Sequence, residues 1–222
     1  MTTETLIPNA SGDENNNNYW DGDNWETGTT NNYQSIDDPV ATPDDDTTKI
    51  RASGGASVWS RDLYNLPNHS VGSGTINNIT IYFRIYGASA AAIGQGKAVL
   101  KSDDTITEGT DQSNDTGTWV TKSQTWTQNP DGPANWTWGD IDALQIGVSL
   151  YNSLSGKTGT RTICTQVYVV VNYTEAAAGT NMKINIGDVM KDVDSMKINI
   201  GDTWKDVAGA QVNIGDTWKT IF

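Results

Sequence analysis

The side chains able to do chemistry are few and scattered. His69 is the sole histidine and Cys164 the sole cysteine, so no His cluster, Ser-His-Asp set or HExxH zinc site can be assembled. A Cys-His nucleophile would need Cys164, inside the strand-like "RTICTQVYVVVNY", to meet His69 in the loop-like "NLPNHSVGSG". The thiol reads instead as a buried structural side chain. Carboxylates abound in "DGDNWE" and "DDPVATPDDDTT", and two of them could in principle do glycosidase work. These runs read as solvated acidic loops: Asp44, Asp45 and Asp46 in succession cannot all face one ion, and neither run has the ligand spacing of an EF-hand. The expectation is a protein with no catalytic residue, no metal site and no cofactor. Nine tryptophans, Trp20, Trp25, Trp59, Trp119, Trp126, Trp136, Trp138, Trp204 and Trp218, carry the remaining signal. On a β-sandwich they can stack on sugar rings or pack a core, and both accounts stand at the level of sequence.

Charge narrows the partners. The chain of 222 residues has a formal net charge of -13, and residues 1–50 hold 11 of its 27 carboxylates against the single base Lys49. With no basic stripe to neutralise phosphates, nucleic acid is excluded as a partner, and an anionic membrane surface is equally unattractive. The start "MTTETLIPNASGDENNNN" has neither a basic n-region nor an apolar h-region, and no apolar run approaches the ~18 residues of a spanning helix. The expectation is a protein made in a cytoplasm without a signal peptide.

The elements that must position these side chains are β-strands. "TINNITIYFRIYG" alternates Ile79, Ile81, Phe83 and Ile85 with Thr80, Tyr82, Arg84 and Tyr86, the period of a half-buried strand. "ICTQVYVVVNYT" repeats the pattern through Thr165, Val167, Val169, Val171 and Tyr173, and "GKAVLKS", "GTWVTKSQTWT" and "ALQIGVSLYN" are further strand-length runs. The one helical candidate follows Thr137, which forms a capping box with Asp140. Seven or eight such strands without βαβ alternation predict an all-β, antiparallel, jelly-roll-like β-sandwich over residues 1–174, with acidic N-terminal loops. The small-residue stretch 175–181 reads as a linker to residues 182–222.

That last segment says one phrase three times: "MKINIGDVMKDV", "MKINIGDTWKDV" and "QVNIGDTWKTIF". Each copy reads as strand, turn, strand, with turns at Gly187-Asp188, Gly201-Asp202 and Gly215-Asp216. Glycine at the first turn position permits the positive φ of a two-residue hairpin loop. That register pairs Ile200 with Thr203 and Asn199 with Trp204; a three-residue loop would instead set Ile200 opposite Trp204. An isolated hairpin is marginal in water, so the copies must pack on one another, on the sandwich or on another chain. The expected interface residues are Ile186, Met190, Ile200, Trp204, Ile214, Trp218 and Phe222.

Tandem units of the form "KINIGDTWKDV" resemble the C-terminal hairpin repeats of virion structural proteins of tailed bacteriophages. "DDDTTKI", "RDLYNLPN", "WTWGDIDALQIGV" and "CTQVYVVVNY" are similar to stretches of β-sandwich proteins encoded among phage structural genes. The resemblance implies a non-enzymatic capsid decoration or head-fibre protein on a virion, assembled in a host cytoplasm. Its partners would be copies of itself, a homotrimer by analogy with trimeric decoration proteins and spikes, and a viral capsid or tail protein. Two further readings stay open: a glycan-binding adhesin or tail receptor-binding protein using surface tryptophans, and a surface-filament subunit.

Overall fold

A computed structural model describes residues 2–20, 25–27, 32–53, 57–71, 74–87, 93–132, 134–153, 161–175, 183–186, 189–192, 197–200, 203–206, 211–214 and 217–220. The chain divides into two units, Met1–Glu175 and Ala176–Phe222.

The first unit is a β-sandwich of two antiparallel sheets. In chain order its strands are β1 (Thr2–Leu6), β2 (Ala10–Asn15), β3 (Asn18–Trp20), β4 (Trp25–Thr27), β5 (Ile50–Arg51), β6 (Val58–Asn65), β7 (Gly74–Tyr86), β8 (Gly94–Ser102), β9 (Thr105–Glu108), β10 (Gln112–Asn114), β11 (Trp119–Trp126), β12 (Gln145–Asn152) and β13 (Ile163–Glu175). The first sheet runs β11-β7-β13-β5-β3-β4, and β1 pairs the other end of β13. The second runs β10-β8-β12-β6-β2, with β9 also on β8. The successive long strands β6, β7, β8, β11, β12 and β13 alternate between the two sheets, as the jelly-roll-like reading requires.

The core forms where the alternation is strictest. Ile79, Ile81, Phe83 and Ile85 of β7 and Val167, Val169 and Val171 of β13 are fully buried, facing Ile146, Val148 and Leu150 of β12 and Ala98 and Leu100 of β8. Each such side chain contributes about 1.5–3 kcal/mol by leaving water. Helix α1 (Trp138–Ala143) starts at the expected box: Thr137 Oγ1 accepts from Asp140 N at 3.2 Å, and Thr137 N donates to Asp140 Oδ2 at 2.8 Å. Its Ile141 and the following Leu144 join the core.

The sandwich has thirteen described strands, more than the seven or eight expected. The additional ones are short and polar, such as "ASGDEN" in β2. They join sheet edges through backbone hydrogen bonds, which no hydrophobic period announces.

The N-terminal acidic stretch is tied down by buried polar groups rather than by Trp20 and Trp25, which are only half-buried. The fully buried Asp62 carboxylate accepts from Asn16 N at 2.5 Å, Asn17 N at 2.7 Å, Asn32 Nδ2 at 2.8 Å and Tyr64 Oη at 2.9 Å. Asp45 makes a two-point ion pair with Arg84 at 2.5 and 2.8 Å. Asp38 accepts from Asp44 N at 2.7 Å. Part of this acidic sequence is thus structural rather than solvated.

The second unit contains three separate two-stranded antiparallel pairs: β14 (Lys183–Ile186) with β15 (Val189–Asp192), β16 (Lys197–Ile200) with β17 (Thr203–Asp206), and β18 (Gln211–Ile214) with β19 (Thr217–Thr220). Ile200 lies opposite Thr203 and Asn199 opposite Trp204, and the flanking repeats keep the same register. This is the two-residue spacing; the three-residue alternative would have offset it by one. Among the described residues, no helix is long and apolar enough to cross a membrane.

Candidate functional site

The groups singled out for chemistry do not converge. Cys164 is fully buried on β13, and desolvation pushes its thiol up to about 12. His69 is engaged elsewhere: its Nδ1 lies 2.6 Å from Asp142 Oδ1, and its ring stacks on Trp138 at 4.9 Å. That hydrogen bond is the main reason the Asp142 carboxyl lies below its ordinary value. Among the described residues no three His, Cys, Asp or Glu side chains gather as a metal site would require.

The predicted interface residues sit in the repeats. Ile186 ends β14, Met190 is in β15, Ile200 ends β16, Trp204 is in β17, Ile214 ends β18 and Trp218 is in β19. Phe222 and the turn residues Gly187, Asp188, Gly201, Asp202, Gly215 and Asp216 lie outside the described residues.

Most described tryptophans are accounted for by packing. Trp136 is buried and donates from Nε1 to Trp126 O at 3.2 Å; Trp138 donates to Gly74 O at 3.0 Å and meets Tyr173 edge-on. Trp20 and Trp25 pack on each other at 5.2 Å, with Lys49 over the first ring and Arg51 over the second.

Trp59 differs. It lines a cleft of about 360 Å³ on the face of the second sheet turned away from the core, together with Glu14, Val58, Arg61, Glu108 and Ser149. The strand register builds this site directly. Ser149 of β12 lies opposite Arg61 of β6 on one side and Lys97 of β8 on the other. Two residues further along, Trp59 lies opposite Tyr151, their rings tilted at 45° with centroids 5.0 Å apart. The outer positions of β12 run Gln145, Gly147, Ser149, Tyr151, and of these Ser149 lines the cleft.

The charges are held in a chain. Arg61 grips Glu14 with Nε at 2.6 Å and Nη2 at 2.7 Å, and reaches Glu108 with Nη1 at 3.2 Å. Lys97 Nζ bonds the other Glu108 oxygen at 3.1 Å and sits 4.2 Å from the Trp59 ring centroid. The Glu14 hydrogen bond is the chief reason the guanidinium lies above its ordinary value. At the floor, the Ser149 hydroxyl is fully buried and has no hydrogen-bond partner. Such a group costs about 1–3 kcal/mol where it stands.

Sequence reasoning counted Trp59 among nine but did not single out Glu14, Arg61, Lys97, Glu108, Ser149 or Tyr151. They come from five strands and form no motif. The available signal was alternation: in "VWSRDLYN" Trp59 and Arg61 share a face, and in "QIGVSLYN" so do Gly147, Ser149 and Tyr151.

No protein-family model and no curated protein sequence matches the chain. Among solved structures it is similar to the C-terminal CBM6 of LamC, a marine laminarinase from Zobellia galactanivorans. That alignment has 15% identity and a TM-score of 0.38, over 77% of this chain and 100% of that one. It is also similar to an isomalto-dextranase of Arthrobacter globiformis T6 complexed with panose, at 11% identity and a TM-score of 0.26, over 77% of this chain and 32% of that one.

Proposed function

We propose that this is a non-enzymatic virion structural protein whose sandwich binds a glycan in the Trp59 cleft and whose C-terminal hairpins join it to copies of itself and to a capsid or tail protein. The cleft carries the glycan reading. It combines an aromatic wall, pre-positioned donors and acceptors and a buried hydroxyl without a partner, the mixture by which small-molecule sites fix a polar ligand. A volume of about 360 Å³ lies at the lower end of the ~300–1,000 Å³ typical of such sites.

The same arrangement argues against turnover. A glycosidase needs one carboxyl held protonated by an apolar or like-charged setting. Glu14 and Glu108 are instead each tied to a cation. The test is a glycan array probed with the full chain and with Trp59→Ala. Retention of specific glycans by the parent and loss by the variant fits the reading, and a parent that binds nothing refutes it.

A second reading, a capsid decoration or head-fibre protein with no glycan ligand, is favoured by the three separate hairpins of the second unit. Two-stranded units gain stability by packing on something else, and repeated adhesive elements suit a protein that coats a particle in many copies. Removing residues 176–222 should then abolish incorporation into particles, read by mass spectrometry of purified virions. A truncated chain that still incorporates would contradict the docking role.

A further inference from the structure

We infer that the cleft selects an uncharged saccharide; this rests on the glycan-binding reading above. The row Arg61–Ser149–Lys97 places two cations beside the buried hydroxyl, and on its own would invite an anion. Both cations are already engaged. Arg61 spends two donors on Glu14 and one on Glu108, and Lys97 holds the second Glu108 oxygen. Two carboxylates and two cations leave this chain of charges neutral.

An acidic sugar taking the N–H groups that Arg61 and Lys97 do not spend on Glu14 and Glu108 would lie against those two carboxylates, in a molecule that carries -13 overall. Like-charge proximity of that kind disfavours binding. A cationic ligand fares no better, because Lys97 Nζ already occupies the Trp59 ring at 4.2 Å, the position a bound cation would take. A neutral polyol faces neither obstacle. Its hydroxyls can donate to remaining carboxylate lone pairs and bond the Ser149 Oγ, while its C–H groups pack on Val58 and on the part of the Trp59 ring that Lys97 Nζ leaves uncovered.

Ser149 makes the inference testable, since its hydroxyl has no partner in the folded protein. Ser149→Ala should leave the unliganded fold at least as stable, because it removes a buried group that nothing satisfies. The same variant should weaken saccharide binding about fivefold, the worth of one neutral hydrogen bond, and Trp59→Ala should weaken it about tenfold or more. The experiment is an array of neutral, uronic, sulfated and sialylated oligosaccharides probed with the full chain, followed by calorimetric titration of the best binder into the parent and both variants. Circular dichroism would verify that each variant is folded.

The expected result is retention of neutral glycans only, with both variants weakened and Ser149→Ala no less thermostable. Tighter binding of the acidic glycans would overturn the inference while leaving the glycan reading in place. Neutral binding that neither variant alters would also overturn it, by moving the site elsewhere. Silence across the whole array would sink the glycan reading and the inference with it.

Discussion

Asp62 shows how one residue can organise a segment far away in sequence. It is fully buried on β6, yet its carboxylate collects two backbone and two side-chain donors from Asn16, Asn17, Asn32 and Tyr64. Burial, the largest influence, raises its carboxyl above the ordinary value, and the donors pull it back. Asp62→Ala would take the acceptor from Asn17 N, Tyr64 Oη and one Asn32 Nδ2 hydrogen, while Asn16 N keeps Arg61 O at 3.2 Å, so a loss of about 3 kcal/mol or more is expected, measured by chemical denaturation at constant m-value. Cys164 offers a second test at this scale. With its thiol pushed up to about 12 by burial, it should resist iodoacetamide in the folded protein at neutral pH and label fully in denaturant. Rapid labelling of the native chain would contradict its placement in the core.

At the scale of the element, legibility followed the strength of the periodic signal. β7 and β13 announced themselves because alternate residues face a packed core, and Thr137 with Asp140 announced α1 because a capping box is a local sequence pattern. Thr137→Ala should therefore cost about 1 kcal/mol, measured as a fall in melting free energy. β2 to β5 gave no such signal, since "ASGDEN", "NYW", "WET" and "IR" are short edge pieces held by backbone pairing. The cleft was hidden for a related reason. Its members stand at outward positions on separate strands, and the register that aligns Arg61, Ser149 and Lys97 belongs to the folded sheet. Gly147 illustrates the tightness of that sheet: a Cβ there would collide with the Asp62 backbone oxygen. In the second unit the strand pairs end at Ile186 opposite Val189, Ile200 opposite Thr203 and Ile214 opposite Thr217, and the Gly-Asp positions between them lie outside the described residues. If Trp204 and Trp218 supply the adhesive contacts, the Trp204→Ala, Trp218→Ala double variant should lose self-association while the sandwich retains its melting temperature. Light scattering that found the same oligomer for parent and variant would remove the repeats from this role.

For the molecule as a whole, acid should first stabilise and then destabilise. Asp37 and Asp38 titrate above their ordinary 3.8, chiefly because burial penalises their charge, and Asp62 behaves likewise. Between 3.8 and those raised values the folded state binds more protons than the unfolded one, so stability increases as pH falls through that window. Asp13 and Asp142 work the other way. Hydrogen bonds from Lys101 and His69 lower their folded values, and the stability they contribute above 3.8 is lost as pH drops below it. The melting temperature should thus rise as pH falls from the raised values towards 3.8 and fall again in stronger acid. Asp38→Asn should flatten the rise.

The proposed binding role of the sandwich rests on the Trp59 cleft, and residue-resolved NMR tests it most directly. Amide and indole resonances of the full chain would be followed during titration with a neutral oligosaccharide retained on the array. The account expects shifts concentrated on Trp59, Arg61, Lys97, Ser149 and Tyr151, saturating together with a single dissociation constant. Shifts that cluster on Trp20 and Trp25, on the first sheet or in the hairpins, with these five residues unmoved, would contradict it.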